Sequence, residues 1–204
     1  MKKFLLTCIA VACSLMAVAE ELLIEAESFS RRGGWVLDQQ FMDQMGSPYL
    51  MAHGMGIPVA DATAEINISQ AGTYYVYART YNWTSPWTGA AGPGRFRLAL
   101  GDKLLKTTLG HTGNSWQWQF AGKVVLKAGI TSLALKDLTG FDGRCDAIYL
   151  TTDSKEVPPA DKVGLEAFRR RMLDLPVSPV MHQSYDLVVI GGGIAGMCAA
   201  AAAL

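Results

Sequence analysis

The sequence predicts an all-β sandwich or barrel over residues 20–153. From residue 185 it predicts the opening strand, turn and helix of a Rossmann-type nucleotide-binding domain. Three observations carry this. Between residues 22 and 152, short runs rich in aromatic and β-branched side chains alternate with Gly, Pro and Asn turn signals, as in antiparallel sheets. No run in that stretch sustains the 3.6-residue period of an amphipathic helix. Near the C-terminus an apolar run leads into Gly191-Gly192-Gly193-Ile194-Ala195-Gly196 and then an Ala-rich stretch, the order strand, tight turn, helix.

Composition narrows the class further. Half of the 204 residues are hydrophobic and 18% are charged, a globular balance. Lys plus Arg and Asp plus Glu each number 18, so no basic field exists to bind nucleic acid by charge. Met1 to Ala19 begins with Lys2 and Lys3, continues apolar, and ends in Ala17-Val18-Ala19, the layout of a cleaved secretory signal. An exported bacterial protein is expected: periplasmic, surface-attached or extracellular. The alternative is lipid attachment at Cys13, although Ala10-Val11-Ala12-Cys13 lacks the Leu of a lipobox. No later segment is apolar enough to span a bilayer. Outside the leader only Cys145 and Cys198 remain, too few for a disulfide framework.

The strand candidates follow in order. Residues 22–27, 64–68 and 72–79 come first, then Arg95–Leu100, which meets the turn signal Gly101-Asp102. Trp116, Trp118 and Phe120 share one strand face by alternation, and core packing is the reading for the two tryptophans. Lys123–Leu126 and Ser132–Leu135 around Ala128-Gly129 read as a hairpin, and Asp146–Leu150 closes the set.

The pieces Ile24-Glu25-Ala26-Glu27, Gly72-Thr73-Tyr74-Tyr75-Val76-Tyr77, Trp116-Gln117-Trp118 and Cys145-Asp146-Ala147-Ile148-Tyr149-Leu150 occur in a familiar order. Together they resemble the jelly-roll carbohydrate-binding modules of galactose-binding-like type and the related golvesin-like domains. The resemblance implies a jelly-roll sandwich attached to a polysaccharide-active protein. In the resembled modules a Glu of the first strand and an Asp of the last hold a structural calcium. Here these positions are Glu27 and Asp146, with Glu25 as a helper, because i and i+2 leave a strand on one face. Solvated carboxylates at strand ends are the alternative. Tyr81, Trp83 and Trp87 lie in or beside a Gly- and Pro-rich loop and are the candidate sugar contacts; packing at the end of the core is the competing role.

Residues 154–184 read as an ordered connector with a short helix, Leu165–Leu173, whose Leu165, Phe168, Met172 and Leu173 share a face. Its Arg169-Arg170-Arg171 run reads as a solvated face. Leu187–Ile190 then reads as a buried parallel strand. In the glycine motif Gly191 permits the turn, Gly193 lets a pyrophosphate approach, and Gly196 lets helix pack on strand. The stretch from Asp186 to Gly196 resembles the opening of FAD-dependent oxidoreductases. That resemblance implies an FAD pyrophosphate lined by Gly191, Gly193 and Gly196, with Gly192 and the N–H groups of Ile194 and Ala195 beside it. A small-molecule redox substrate is implied too. The acidic residue expected about 20 positions further on would lie past Leu204. The chain therefore reads as a truncated piece of a secreted flavoprotein, unable to bind FAD alone. His53, His111 and His182 show no dyad or metal spacing, so no catalytic residue is assigned. The alternatives are a non-catalytic sugar-binding surface module and a polysaccharide lyase-associated protein.

Overall fold

The computed structural model describes residues 19–177 and 183–203. The leader from Met1 to Val18, with Cys13, lies outside them. Among the described residues ten strands form two antiparallel sheets. The larger has the order β2 (Val36–Asp38), β3 (Tyr49–His53), β10 (Phe141–Thr151), β5 (Gly72–Tyr81), β8 (Gln117–Leu126), with β1 (Glu21–Glu25) paired along the second half of β10. The smaller has the order β4 (Ala62–Ile68), β9 (Gly129–Asp137), β6 (Phe96–Leu100), β7 (Lys103–Leu104).

Alternation sets the core between them. In β4, Ala62, Ala64, Ile66 and Ile68 point inward while Glu65 and Asn67 face solvent. They meet Tyr74, Val76 and Ala78 of β5 and Ile148 and Leu150 of β10 across the sandwich. Such period-2 faces are what a two-layer β fold buries. The opposite face of the larger sheet carries Tyr77, Tyr81, Trp118 and Tyr149, and two helices cover it. The one-turn helix α1 (Met42–Met45) closes a cluster of Met45, Tyr49 and Trp116 with Phe41, Met51 and Tyr81 packed against it. The second helix, α2 (Lys162–Met172), lays Leu165, Phe168 and Met172 on Tyr149, Leu23, Tyr77 and Trp118. The Asp161 side chain caps it, accepting from the Gly164 N–H.

The structure departs from the sequence reading at five points. The run from 123 to 135 is no hairpin: β8 pairs with β5 and β9 pairs with β4 and β6, so the chain crosses between sheets at residues 127–128. The first strand ends at Glu25, and Ala26–Ser28 is a 3₁₀ turn held by the Ser28 hydroxyl donating to the Glu25 carbonyl (2.7 Å). Strands β2 and β3 were not foreseen. The Arg run on α2 is only partly a solvated face: Arg169 is mostly buried against Glu25, whereas Arg170 and Arg171 stay partly exposed while pairing with Glu166 and Glu21. Finally, Leu187–Ile190 forms no strand and lies partly to fully exposed, whereas α3 (Ile194–Ala202) follows the glycine turn as expected. A parallel strand needs neighbours on both sides, and none of the described residues pair with it. Among the described residues no helix is long and apolar enough to cross a membrane.

Candidate carbohydrate and cation sites

One end of the sandwich gathers the loops β3–β4, β5–β6, β7–β8 and β9–β10. Backbone contacts tie them: the N–H groups of Gly54 (3.0 Å) and Gly56 (3.2 Å) donate to the Gly140 carbonyl, and that of Gly92 donates to the His111 carbonyl (2.8 Å). Gly140 has φ +67°, and a side chain there would strike the Ile57 backbone, so this crossing requires glycine. The indole N–H of Trp83 donates to the Phe141 carbonyl (2.9 Å), and the Arg144 guanidinium lies 5.5 Å from its ring centre. Trp87 stands edge-on to Trp83 at 6.1 Å and is 74% exposed. Met55 and Ile57 are exposed on the β3–β4 loop, and so is Phe141 at the start of β10. His53 Nδ1 and Asp142 Oδ1 pair at 2.6 Å beside them.

Tyr81 does not join this group. It is the last residue of β5, and its ring stacks on Trp116 (5.5 Å, 27°) and meets Phe41 edge-on. Strand alternation sends it to the outer sheet face beneath α1, where it packs. Of the three expected sugar contacts, Trp83 and Trp87 are thus brought together and Tyr81 is separated. Trp116 is buried and Trp118 half-buried, each under a helix on that same face.

The three acids come together near the end of β1. Glu25 Oε2 accepts from Arg169 Nη2 (2.9 Å) and Ser47 Oγ (3.1 Å), and Asp146 Oδ2 accepts from Arg79 Nη1 (2.8 Å). Arg169 also donates to the Met45 carbonyl. The expected shared strand face is replaced by the 3₁₀ turn, yet Glu27 remains close enough to feel both other carboxylates. Burial, then the charges of Glu25 and Asp146, raises Glu27 to about 7. Burial raises Asp146 to about 6 against the opposing pull of Arg79. Glu25 Oε1, Glu27 Oε2 and Asp146 Oδ1 are each buried without a hydrogen-bond partner. Among the described residues no group of three His, Cys, Asp or Glu side chains stands ready to hold a metal ion. Three carboxylate oxygens here are nonetheless orphaned, the kind of oxygen that calcium takes, while Arg79 and Arg169 hold the other oxygens of Asp146 and Glu25. Arg79 and Arg169 were invisible to local reasoning, because their acids lie 67 and 144 residues away in sequence.

At the glycine motif, Gly191 has φ +104° and Gly193 caps α3. Nothing stands in front of Gly191, Gly192 or Gly193, whereas a side chain at Gly196 would overlap the Gly191 carbonyl oxygen.

Two antiparallel sheets packed face to face form a β-sandwich, a fold shared with solved carbohydrate-binding modules. Solved structures sharing it include the GH26-CBM35 β-(1,4)-mannanase of Podospora anserina. That protein is 21% identical with a TM-score of 0.50, over 68% of this chain and 29% of that one. A family 35 carbohydrate-binding module from Clostridium thermocellum is 16% identical with a TM-score of 0.50, over 64% of this chain and 97% of that one. The chain thus spans under a third of the mannanase and nearly all of the isolated module. No protein-family model matches the chain, and no curated protein matches it by sequence.

Proposed function

We propose that residues 20–177 are a carbohydrate-binding module of an exported protein, and that the loop end carrying Trp83 and Trp87 contacts a polysaccharide. The exposed Trp87 ring beside Trp83 carries the reading. A soluble protein rarely leaves an indole so open, and a flat aromatic face suits the apolar face of a sugar ring. Affinity electrophoresis of the chain in gels containing soluble polysaccharides tests it. Retardation in at least one gel, lost in Trp87→Ala with an unchanged melting temperature, is expected. Equal mobility of both proteins in every gel would remove the assignment.

Calcium belongs to the same proposal as a structural ion held by Glu25, Glu27 and Asp146 with nearby backbone carbonyls. The orphaned carboxylate oxygens support it. The chain's melting temperature rises with calcium over chelator, and the rise disappears in Asp146→Ala; identical melting curves would exclude the ion.

The second reading concerns residues 185–204, proposed as the start of an FAD-binding domain in a secreted oxidoreductase acting on a small redox substrate. The close approach of Gly196 to the Gly191 carbonyl oxygen, which leaves no room for a side chain, supports it, because the motif's third glycine is required where the chain packs closely. Sequencing the gene past residue 204 tests it. A second apolar strand ending in an acidic residue is expected, and a different fold there would remove the flavin.

A further inference from the structure

We propose that a hollow between the β5–β6 and β7–β8 loops is a selective pocket for a single uncharged sugar unit, with Ser85 and His111 as its hydroxyl-reading groups. This rests on the carbohydrate-binding reading above and names the ligand class that the reading leaves open. The hollow measures about 360 Å³ and is lined by Asn82, Ser85, Thr88, His111, Thr112 and Asn114 together with small residues such as Ala90 and Ala91. That volume lies at the small end of ligand pockets, which run from about 300 to 1,000 Å³, so one ring fits better than a long chain segment.

The chemistry of the wall sets the class. Its polar groups are hydroxyls, carboxamides and one imidazole; no carboxylate, ammonium or guanidinium lines it. A uronate entering there would meet no Lys or Arg to receive its charge, a cost that a neutral sugar avoids. Two of the wall's polar atoms, Ser85 Oγ and His111 Nδ1, are buried without a hydrogen-bond partner. An unmade hydrogen bond of this kind costs about 1–3 kcal/mol. Rotation of the Ser85 hydroxyl, or a small shift of the His111 ring, toward a ligand hydroxyl relieves that cost.

The loops are already braced for binding. Asn82 is buried, donating to the Gly113 carbonyl (3.4 Å) and accepting from Thr84 Oγ1 (3.0 Å). From β8, Gln117 Nε2 (3.0 Å) and Gln119 Nε2 (3.1 Å) donate to the Thr112 carbonyl. Such preorganisation spares the ligand the cost of ordering a loop. Thr88 follows Trp87 directly, which places the hollow next to the exposed indole.

Calorimetric titration of the chain with neutral and uronate-containing oligosaccharides tests the pocket. The wild type binds a neutral sugar, and Ser85→Ala and His111→Ala each weaken it about five- to tenfold. Asn114→Ala, on the open rim, does the same with no part in bracing the loops. Melting temperatures within a degree or two, roughly, confirm that each variant is folded. If the wild type binds and Trp87→Ala abolishes binding while all three pocket variants bind normally, the pocket is overturned and the module reading stands. Equal or tighter binding of the uronate overturns the pocket's selectivity. Binding of no oligosaccharide at all, with polysaccharide gels also negative, overturns both.

Discussion

At the residue scale, the cluster of Glu25, Glu27 and Asp146 shows how burial changes what a charge does. Asp146 is 1% exposed and paired only through one oxygen, to Arg79. Removing that guanidinium leaves a buried carboxylate uncompensated, so Arg79→Leu is expected to cost about 3–5 kcal/mol in urea unfolding; a change below about 1 kcal/mol would mean that the pair behaves as a surface bridge. The acids themselves were legible in the sequence, since Glu25, Glu27 and Asp146 stand in recognisable strand contexts. Their cationic partners were not, because an ion pair between residues 25 and 169 depends on where a helix docks. Trp87 and Tyr81 illustrate the same limit. Both belong to one aromatic stretch, but the last turn of strand alternation sends Tyr81 into packing and leaves Trp87 in the loop.

At the scale of elements, α2 is built into the module and is no simple spacer. Phe168 meets Tyr149 edge-on (5.2 Å, 79°), and the Trp118 indole donates to the Pro159 carbonyl (3.1 Å). Phe168→Ala is expected to destabilise the protein by about 3 kcal/mol, read by denaturant unfolding, and to speed amide exchange throughout Lys162–Met172. The C-terminal end of α2 is fastened by Arg171, which donates to both oxygens of Glu21 (2.8 and 3.1 Å). Those bonds, with the Tyr149 hydroxyl, hold the Glu21 carboxyl below its ordinary 4.5 despite partial burial. A carboxyl with a lowered folded-state pKa contributes stability that is present above its ordinary value and is lost as pH falls through the lowered one. Protection factors in the last turn of α2 therefore fall below about pH 4.5, and Glu21→Gln abolishes that acid dependence. A profile identical in both proteins would show that Glu21 does not fasten the helix. The amphipathic face of α2 was readable from its spacing, and so were most of the central strands. The β8–β9 crossing was not, because Ala128-Gly129 suits a tight hairpin and a sheet-to-sheet corner alike, and only long-range pairing decides between them.

At the scale of the whole molecule, two pieces with different requirements lie in one chain. The sandwich buries its apolar faces internally and through α1 and α2. The glycine turn and α3 leave Leu187, Val188 and Ile190 exposed, which a Rossmann sheet would bury. Two of the motif's glycines stand where a side chain would be strained or crowded: Gly191 has a positive φ, and Gly196 lies against the Gly191 carbonyl oxygen. The strand expected at Leu187–Ile190 does not form, because a strand needs pairing partners and none of the described residues supplies one there. The proposed sugar-reading surface is the loop end of the sandwich. The five tryptophans separate the competing surfaces: Trp35 lies in the core, Trp116 and Trp118 under the helices, and Trp83 and Trp87 at the loops. Titrating a polysaccharide-derived oligosaccharide while following the indole N–H resonances tests the claim most directly. Shifts confined to Trp83 and Trp87 are predicted; movement of Trp118 alone, or of none of the five, would contradict it.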